Sequence, residues 1–243
     1  MDTAVLRDDM VDSLEHESKA CVESEAISVA MREVPRHVFL EDERGAYADR
    51  PFERFGTRVL APSTAARLLE ALDPSPDDAV LVVGAGVGYT AAVLAEIVDS
   101  RNVQAIDITR RLVYEARENL AEAGYPEVLV DCRDGANGFP EYAPYDRILL
   151  EAAAVNPPRA LVDQLADDGR LVMPLGAHEQ SIVRVDADGE VDPLGGCAFG
   201  PMLVEGEQAD TVERNRTRRE DREFAERDAR RRRGWELDWI DWD

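Results

Sequence analysis

Three features of the sequence predict an α/β fold with a mostly parallel, doubly wound sheet. Short β-branched apolar runs alternate with segments of helical periodicity between residues 79 and 174. The first of these junctions carries the glycine-rich stretch GAGVG. The apolar residues after it, Ala91, Leu94, Ala95 and Val98, recur at i, i+3, i+4 and i+7, the spacing of one helical face. Strands that alternate with helices connect through crossovers, and such connections build parallel sheets.

The elements follow in order. Residues 1–50 read as helical segments joined by loops. Residues 63–73 form an amphipathic helix, capped by Ser63 or Thr64, with Leu68, Leu69 and Leu72 on its buried face. Pro74 and Pro76 end it. Strands are expected at 79–83, 102–106, 128–130, 146–150 and 170–173, the last closing at Pro174. Helices are expected at 90–98, 110–123 and 159–165. Residues 181–204 read as further strands, which suits an antiparallel edge.

From residue 205 the composition changes, so residues 1–204 are read as the folded domain and 205–243 as an extension. The pairs Asp210–Arg214, Glu223–Arg227, Glu226–Arg230 and Asp228–Arg232 place acid before base at i,i+4, as on a solvent-exposed charged helix. Acids interleaved before Arg230–Arg233 favour an ion-paired helical face over nucleic-acid binding. Trp235, Trp239 and Trp242 would share one side of a helix. Such a stripe packs against something, either its own domain or a second subunit, so self-association is an expected use.

Composition excludes several classes. Net charge is −23, and Lys19 is the only lysine among 28 basic residues. A nucleic-acid binder needs a basic surface, so none is expected as a partner. The acid is spread along the whole chain and suits a halophilic protein in a high-salt cytoplasm, where screening weakens self-repulsion. No apolar run is long enough to span a membrane and the N-terminus is acidic, so a cytoplasmic location without membrane partners is expected. Cys21, Cys132 and Cys197 and the three histidines are scattered, which gives no metal site and no disulfide framework.

The chemical signal is VLVVGAGVGY, residues 80–89. Glycines between a strand and a helix allow a tight turn and close approach to a ligand. Tyr89 stands where a dinucleotide fingerprint needs its third glycine, and the P-loop lysine is missing, which disfavours a pyrophosphate ligand. GxGxG without the third glycine is the pattern of S-adenosylmethionine sites. Asp107 ends the next strand, 19 residues beyond Gly88. It reads as an acceptor for both ribose hydroxyls or as a loop or capping aspartate. Asp134-Gly135 reads as an adenine contact or simply as a turn.

Together with their neighbours these residues resemble the protein-L-isoaspartate O-methyltransferase family over about residues 7–204. The matching stretches are AMREVPRHVFLED (30–42), AYADRPF (46–52), VLVVGAGVGYTAAVLAEIV (80–98), DGANGFPEYAPYDRILLEAAAVNPPRALVDQL (134–165) and DDGRLVMPLGAHEQ (167–180). The resemblance implies a Rossmann-like class I S-adenosylmethionine methyltransferase fold. It also implies methylation of the free α-carboxylate of isoaspartyl residues in proteins and peptides, as a repair reaction. It puts the cofactor on Gly84, Ala85, Gly86, Gly88, Tyr89, Asp107, Asp134, Gly135 and Glu151, and Gln180 near the mouth of the site.

Three positions depart from the family. Leu60 takes the place of the serine in the substrate segment Leu60-Ala61-Pro62. Val82 stands where an acidic residue is often found, two positions before the first motif glycine. Glu151 stands where a threonine is common, and a carboxylate directed at an anionic acceptor would hinder it. The reaction itself needs no strong base, because the acceptor carboxylate is ionised near neutral pH. In-line alignment and exclusion of water can supply the catalysis. Two other readings stay open: a methyltransferase with a different acceptor, and a cofactor-binding interaction protein without turnover.

Overall fold

The computed structural model describes residues 2–43 and 45–204. The charged helix and Trp stripe expected beyond residue 204 lie outside the described residues.

Two helices open the chain. α1 (Thr3–Glu15) begins at Asp2, whose carboxylate accepts the Ala4 N–H, and α2 (Glu25–Glu33) buries Ile27, Ala30 and Met31. A hairpin of β1 (Phe52–Arg54) and β2 (Thr57–Val59) follows. Its turn residues Phe55 and Gly56 both have positive φ, 47° and 79°, as tight hairpin turns of the primed type require. Sequence reasoning did not anticipate the hairpin, because three-residue strands are too short to show a period.

α3 (Pro62–Leu72) starts one residue before the expected helix and is not capped by Ser63 or Thr64. Pro62 occupies the first helical position, where its fixed φ fits and its missing N–H costs nothing. The Ser63 N–H goes instead to Asp49 Oδ1 at 3.0 Å. Leu68, Leu69 and Leu72 are fully buried, as the periodicity requires. Asp73, with left-handed backbone, stops the helix before the prolines do.

The sheet then assembles from β3 (Val80–Val83), β4 (Val103–Asp107), β5 (Leu129–Cys132), β6 (Tyr145–Leu150), β7 (Leu165–Leu175), β8 (Gln180–Asp186) and β9 (Val191–Cys197). The order across it is β5-β4-β3-β6-β7-β8-β9. The first five are parallel, and β8 and β9 add the antiparallel edge. β7 runs through Pro174, beyond the expected stop. Its pairing with β6 ends at Val172, so the missing N–H interrupts no ladder between two neighbours.

α4 (Tyr89–Val98) and α5 (Arg110–Ala123) are the crossovers on one side, and α6 (Arg159–Val162) is a single short turn because Leu165 already belongs to β7. Alternation along β3 divides the core. Val80 and Val82 join the larger apolar cluster beneath α1–α5, while Leu81 and Val83 join a second cluster with Phe139, Tyr145 and Leu161. The family's acidic position is thus filled by Val82, wholly inside the larger core. Strand order reverses on either side of β3, which leaves a crevice at the C-terminal ends of β4, β3 and β6.

Candidate active site

The glycine loop is built at that crevice. Gly84, Gly86 and Gly88 have φ of 83°, 54° and 94°, which side-chain-bearing residues rarely adopt. The N–H groups of Gly84 and Ala85 both donate to the Ile106 carbonyl, at 2.8 and 3.0 Å. Asn119 Nδ2 donates to the Val87 carbonyl at 3.0 Å and ties the loop to α5. Gly88 opens α4, and a Cβ there would lie 3.2 Å from Leu120 Cγ. Gly88→Ala combines left-handed strain with that contact and is expected to cost about 2 kcal/mol. Scanning calorimetry should show this as a fall of roughly 4–8 °C in Tm for a domain of this size.

Asp107 is buried at the end of β4. Oδ2 accepts the Gly86 N–H at 3.0 Å and Oδ1 accepts the Thr109 N–H at 2.8 Å. Burial raises this carboxyl above its ordinary range, and the two N–H donors oppose that shift without cancelling it. Each oxygen still has a lone pair for a hydroxyl donor. The capping role and a ligand role therefore coexist, since Asp107 both shapes the glycine loop and lines the crevice.

Two adjoining cavities occupy the crevice. The first, about 60 Å³, is lined by Gly84, Asp107, Gly135 and Glu151 and on another side by Pro201–Leu203. The second, about 30 Å³, is lined by Leu60, Ala85, Gly86, Tyr89, Thr90 and Glu151. Among the described residues, Thr57, Gly84 and Glu151 line both. Gly135 has no room for a side chain, because a Cβ would meet Val83 Cγ1 at 2.4 Å. Asp134 uses Oδ1 to accept the Ala136 N–H at 2.8 Å, so it works in the turn, and Gly135 is the member of the pair on the cavity wall. In the substrate segment, Leu60 faces the second cavity, whereas Ala61 is the N-cap and Pro62 the first residue of α3. Gln180 is a clamp: it accepts the Phe199 N–H at 2.6 Å and donates to the Phe199 carbonyl at 3.2 Å. It thereby holds the segment between β9 and Pro201.

Sequence reasoning missed three residues. Thr57 comes from the unanticipated hairpin. Thr90 donates a short hydrogen bond to Glu151 from the first turn of α4. Arg36, inside the VPRH match, is wholly buried. Its Nε donates to the Ala46 carbonyl at 2.8 Å and its Nη2 to the Leu60 carbonyl at 2.6 Å, and its guanidinium lies 4.4 Å from the centre of the Tyr89 ring. A single arginine carries no periodicity that would announce its burial.

Glu151 lies on the floor between the cavities. Burial pushes its carboxyl up to about 8, the Thr90 hydroxyl counteracts in part, and Asp107 adds to the rise. The folded protein therefore keeps a proton that the unfolded chain releases near the ordinary 4.5. Stability from this group is full below about 4.5 and is lost as pH rises toward 8. Glu151→Gln should remove that loss. Thermal melts from pH 5 to pH 8 are expected to show the ligand-free variant gaining on the parent by on the order of 3–5 kcal/mol. Parallel curves would contradict the assignment.

These features suit S-adenosylmethionine. A glycine-rich loop with left-handed backbone borders a buried carboxylate that can accept from ribose hydroxyls, and Val83, Ile106 and Leu150 give the first cavity apolar lining beside it. Comparison with known proteins gives the same direction. The family described as protein-L-isoaspartate(D-aspartate) O-methyltransferase (PCMT) matches residues 7–205. The protein-L-isoaspartate O-methyltransferase of Aeropyrum pernix is 45% identical over 169 residues, covering 68% of this chain and 65% of that protein, just under two thirds of its length. That of Methanopyrus kandleri is 43% identical over 195 residues, covering 76% of this chain and 86% of that protein. Among solved structures, the Plasmodium falciparum protein-L-isoaspartate O-methyltransferase in complex with S-adenosyl-L-homocysteine superposes with a TM-score of 0.71 at 21% identity, covering 81% of this chain and 98% of that one, a likeness of fold. By fold, by the placement of its glycine loop and by sequence over most of its length, this chain belongs to the protein-L-isoaspartate(D-aspartate) O-methyltransferase family.

Proposed function

We propose that this chain transfers the methyl group of S-adenosylmethionine to the α-carboxylate of L-isoaspartyl residues in damaged proteins and peptides. The observation that carries this reading is the joining of two cavities at one carboxyl-bearing floor. One cavity has Asp107 and Gly135 on its walls, and the other has Leu60. Bound there, S-adenosylmethionine supplies an electrophilic methyl on a sulfonium. Asp107 accepts the ribose hydroxyls, the 84–89 loop carries the methionine end, and the turn at Asp134-Gly135 borders the adenine. The segment Leu60-Ala61-Pro62 receives the acceptor carboxylate, and Arg36 fixes that segment through the Leu60 carbonyl. No side chain needs to act as a strong base, because the acceptor is already an anion. Alignment and exclusion of water are what the site contributes.

Leu60 removes one hydrogen bond of about 1 kcal/mol from the acceptor end, and Glu151 puts a carboxyl on the floor next to it. These two residues favour the second reading, a methyltransferase with another carboxylate or nucleophile as acceptor. Among the described residues no helix is long and apolar enough to cross a membrane. The acid surplus supports work in a high-salt cytoplasm, and the tryptophans at 235, 239 and 242 support self-association through the extension. Chromatography of an isoaspartyl peptide incubated with the enzyme and S-adenosylmethionine tests the repair reading. Succinimide and then normal aspartyl peptide should accumulate. A stable methylated product, or methylation of other acceptors only, would favour the second reading.

A further inference from the structure

We propose that Glu151 is the counter-charge of the sulfonium, and that it makes the site distinguish S-adenosylmethionine from the demethylated product, S-adenosylhomocysteine. This rests on the cofactor reading above and deepens it.

Position comes first. The transferred methyl must lie between the nucleoside end of the site, marked by Asp107 and Gly135, and the acceptor end, marked by Leu60. Of the described residues shared by the two cavities, Thr57, Gly84 and Glu151, only Glu151 is ionisable. The sulfonium must therefore be held beside it.

The surroundings come second. Asp107 faces Glu151 from the end of β4 and Thr90 from the start of α4, while Tyr89 and the exposed Arg58 of β2 line the second cavity. Among the described residues the side chain of Glu151 accepts its hydrogen bond from Thr90 and enters no ion pair. A half-buried carboxylate that is beside a buried second carboxylate and has no ion-pair partner is held neutral. That agrees with its titration near 8.

A cationic ligand reverses this balance. When the sulfonium arrives, the ionised form of Glu151 gains its missing partner and the proton leaves to solvent. Methyl transfer then breaks the S–CH3 bond and forms an O–CH3 bond. The sulfonium becomes a neutral thioether and the acceptor carboxylate a neutral ester. Glu151 is left without a counter-charge and takes a proton back from solvent. Affinity for S-adenosylmethionine should thus rise with pH up to about 8, while affinity for the product should not follow it.

The test is calorimetric titration of the full chain with each ligand below neutral pH, in buffers of different ionisation enthalpy. S-Adenosylmethionine should release close to one proton and S-adenosylhomocysteine close to none. Glu151→Gln should abolish the release and weaken S-adenosylmethionine by about tenfold or more, while the product changes by less than about threefold. Equal release with both ligands would overturn the proposal, because it would assign Glu151 to the ammonium that both share. No release with either, or equal weakening of both in the variant, would overturn it as well. Failure of parent and variant to bind either ligand would refute the cofactor reading itself.

Discussion

Asp107→Asn is expected to weaken S-adenosylmethionine binding by roughly 100-fold. Both Asp107 oxygens are engaged by backbone N–H groups, at Gly86 and Thr109. An amide supplies only one acceptor, so its NH2 must face one of those two donors. The loop then loses an anchor at Gly86, beside the glycines that carry the ligand. The bonds to the ribose hydroxyls also lose their charge, which is worth about 1.5–3 kcal/mol per charged hydrogen bond. A total near 3 kcal/mol corresponds to about two orders of magnitude in Kd. Calorimetric titration at fixed high salt measures it directly. An unchanged Kd would remove Asp107 from the cofactor site and leave it as a capping residue alone.

Arg36→Met should act on both stability and turnover. The substitution keeps most of the apolar stem but leaves the Ala46 and Leu60 carbonyls without their donors. A buried carbonyl left unsatisfied costs about 1–3 kcal/mol, and release of the guanidinium from its buried setting offsets part of the sum. A net loss of about 3 kcal/mol lowers Tm by roughly 6–12 °C. The Leu60-Ala61-Pro62 segment loses its tether at the same time, so kcat/KM should fall by at least about tenfold through misalignment. Arg36→Lys, with a point charge in place of a planar fork, should lie between parent and Met in both respects. A stable variant with parental kcat/KM would show that Leu60 is held by other contacts.

Much of the fold was legible because burial writes a period into the chain. Leu68, Leu69 and Leu72 mark the inner face of α3, and the alternation in β3 divides residues between two cores. The glycine loop was legible because left-handed backbone at a strand-to-helix turn restricts residue type, and Asp107 because the end of the next strand brings it against that loop. Other features had no such signature. The hairpin around Gly56 is shorter than any detectable period. The start of α3 was misplaced because Pro62 took the first helical position and Asp49 claimed the Ser63 N–H. Asp134 is the plainest case of two readings that spacing cannot separate, since its carboxylate bonds within its own turn. Arg36 and Thr90 act through partners far away in sequence, at Leu60 and Glu151, and only the folded chain brings those together.

The most direct measurement is transfer of labelled methyl from S-adenosylmethionine, in high salt, to an isoaspartyl peptide beside its normal-aspartyl twin. The account predicts methylation of the isoaspartyl peptide alone, and loss of most of that signal in Asp107→Asn at limiting cofactor. Equal labelling of both peptides, or cofactor binding without any transfer, would contradict it.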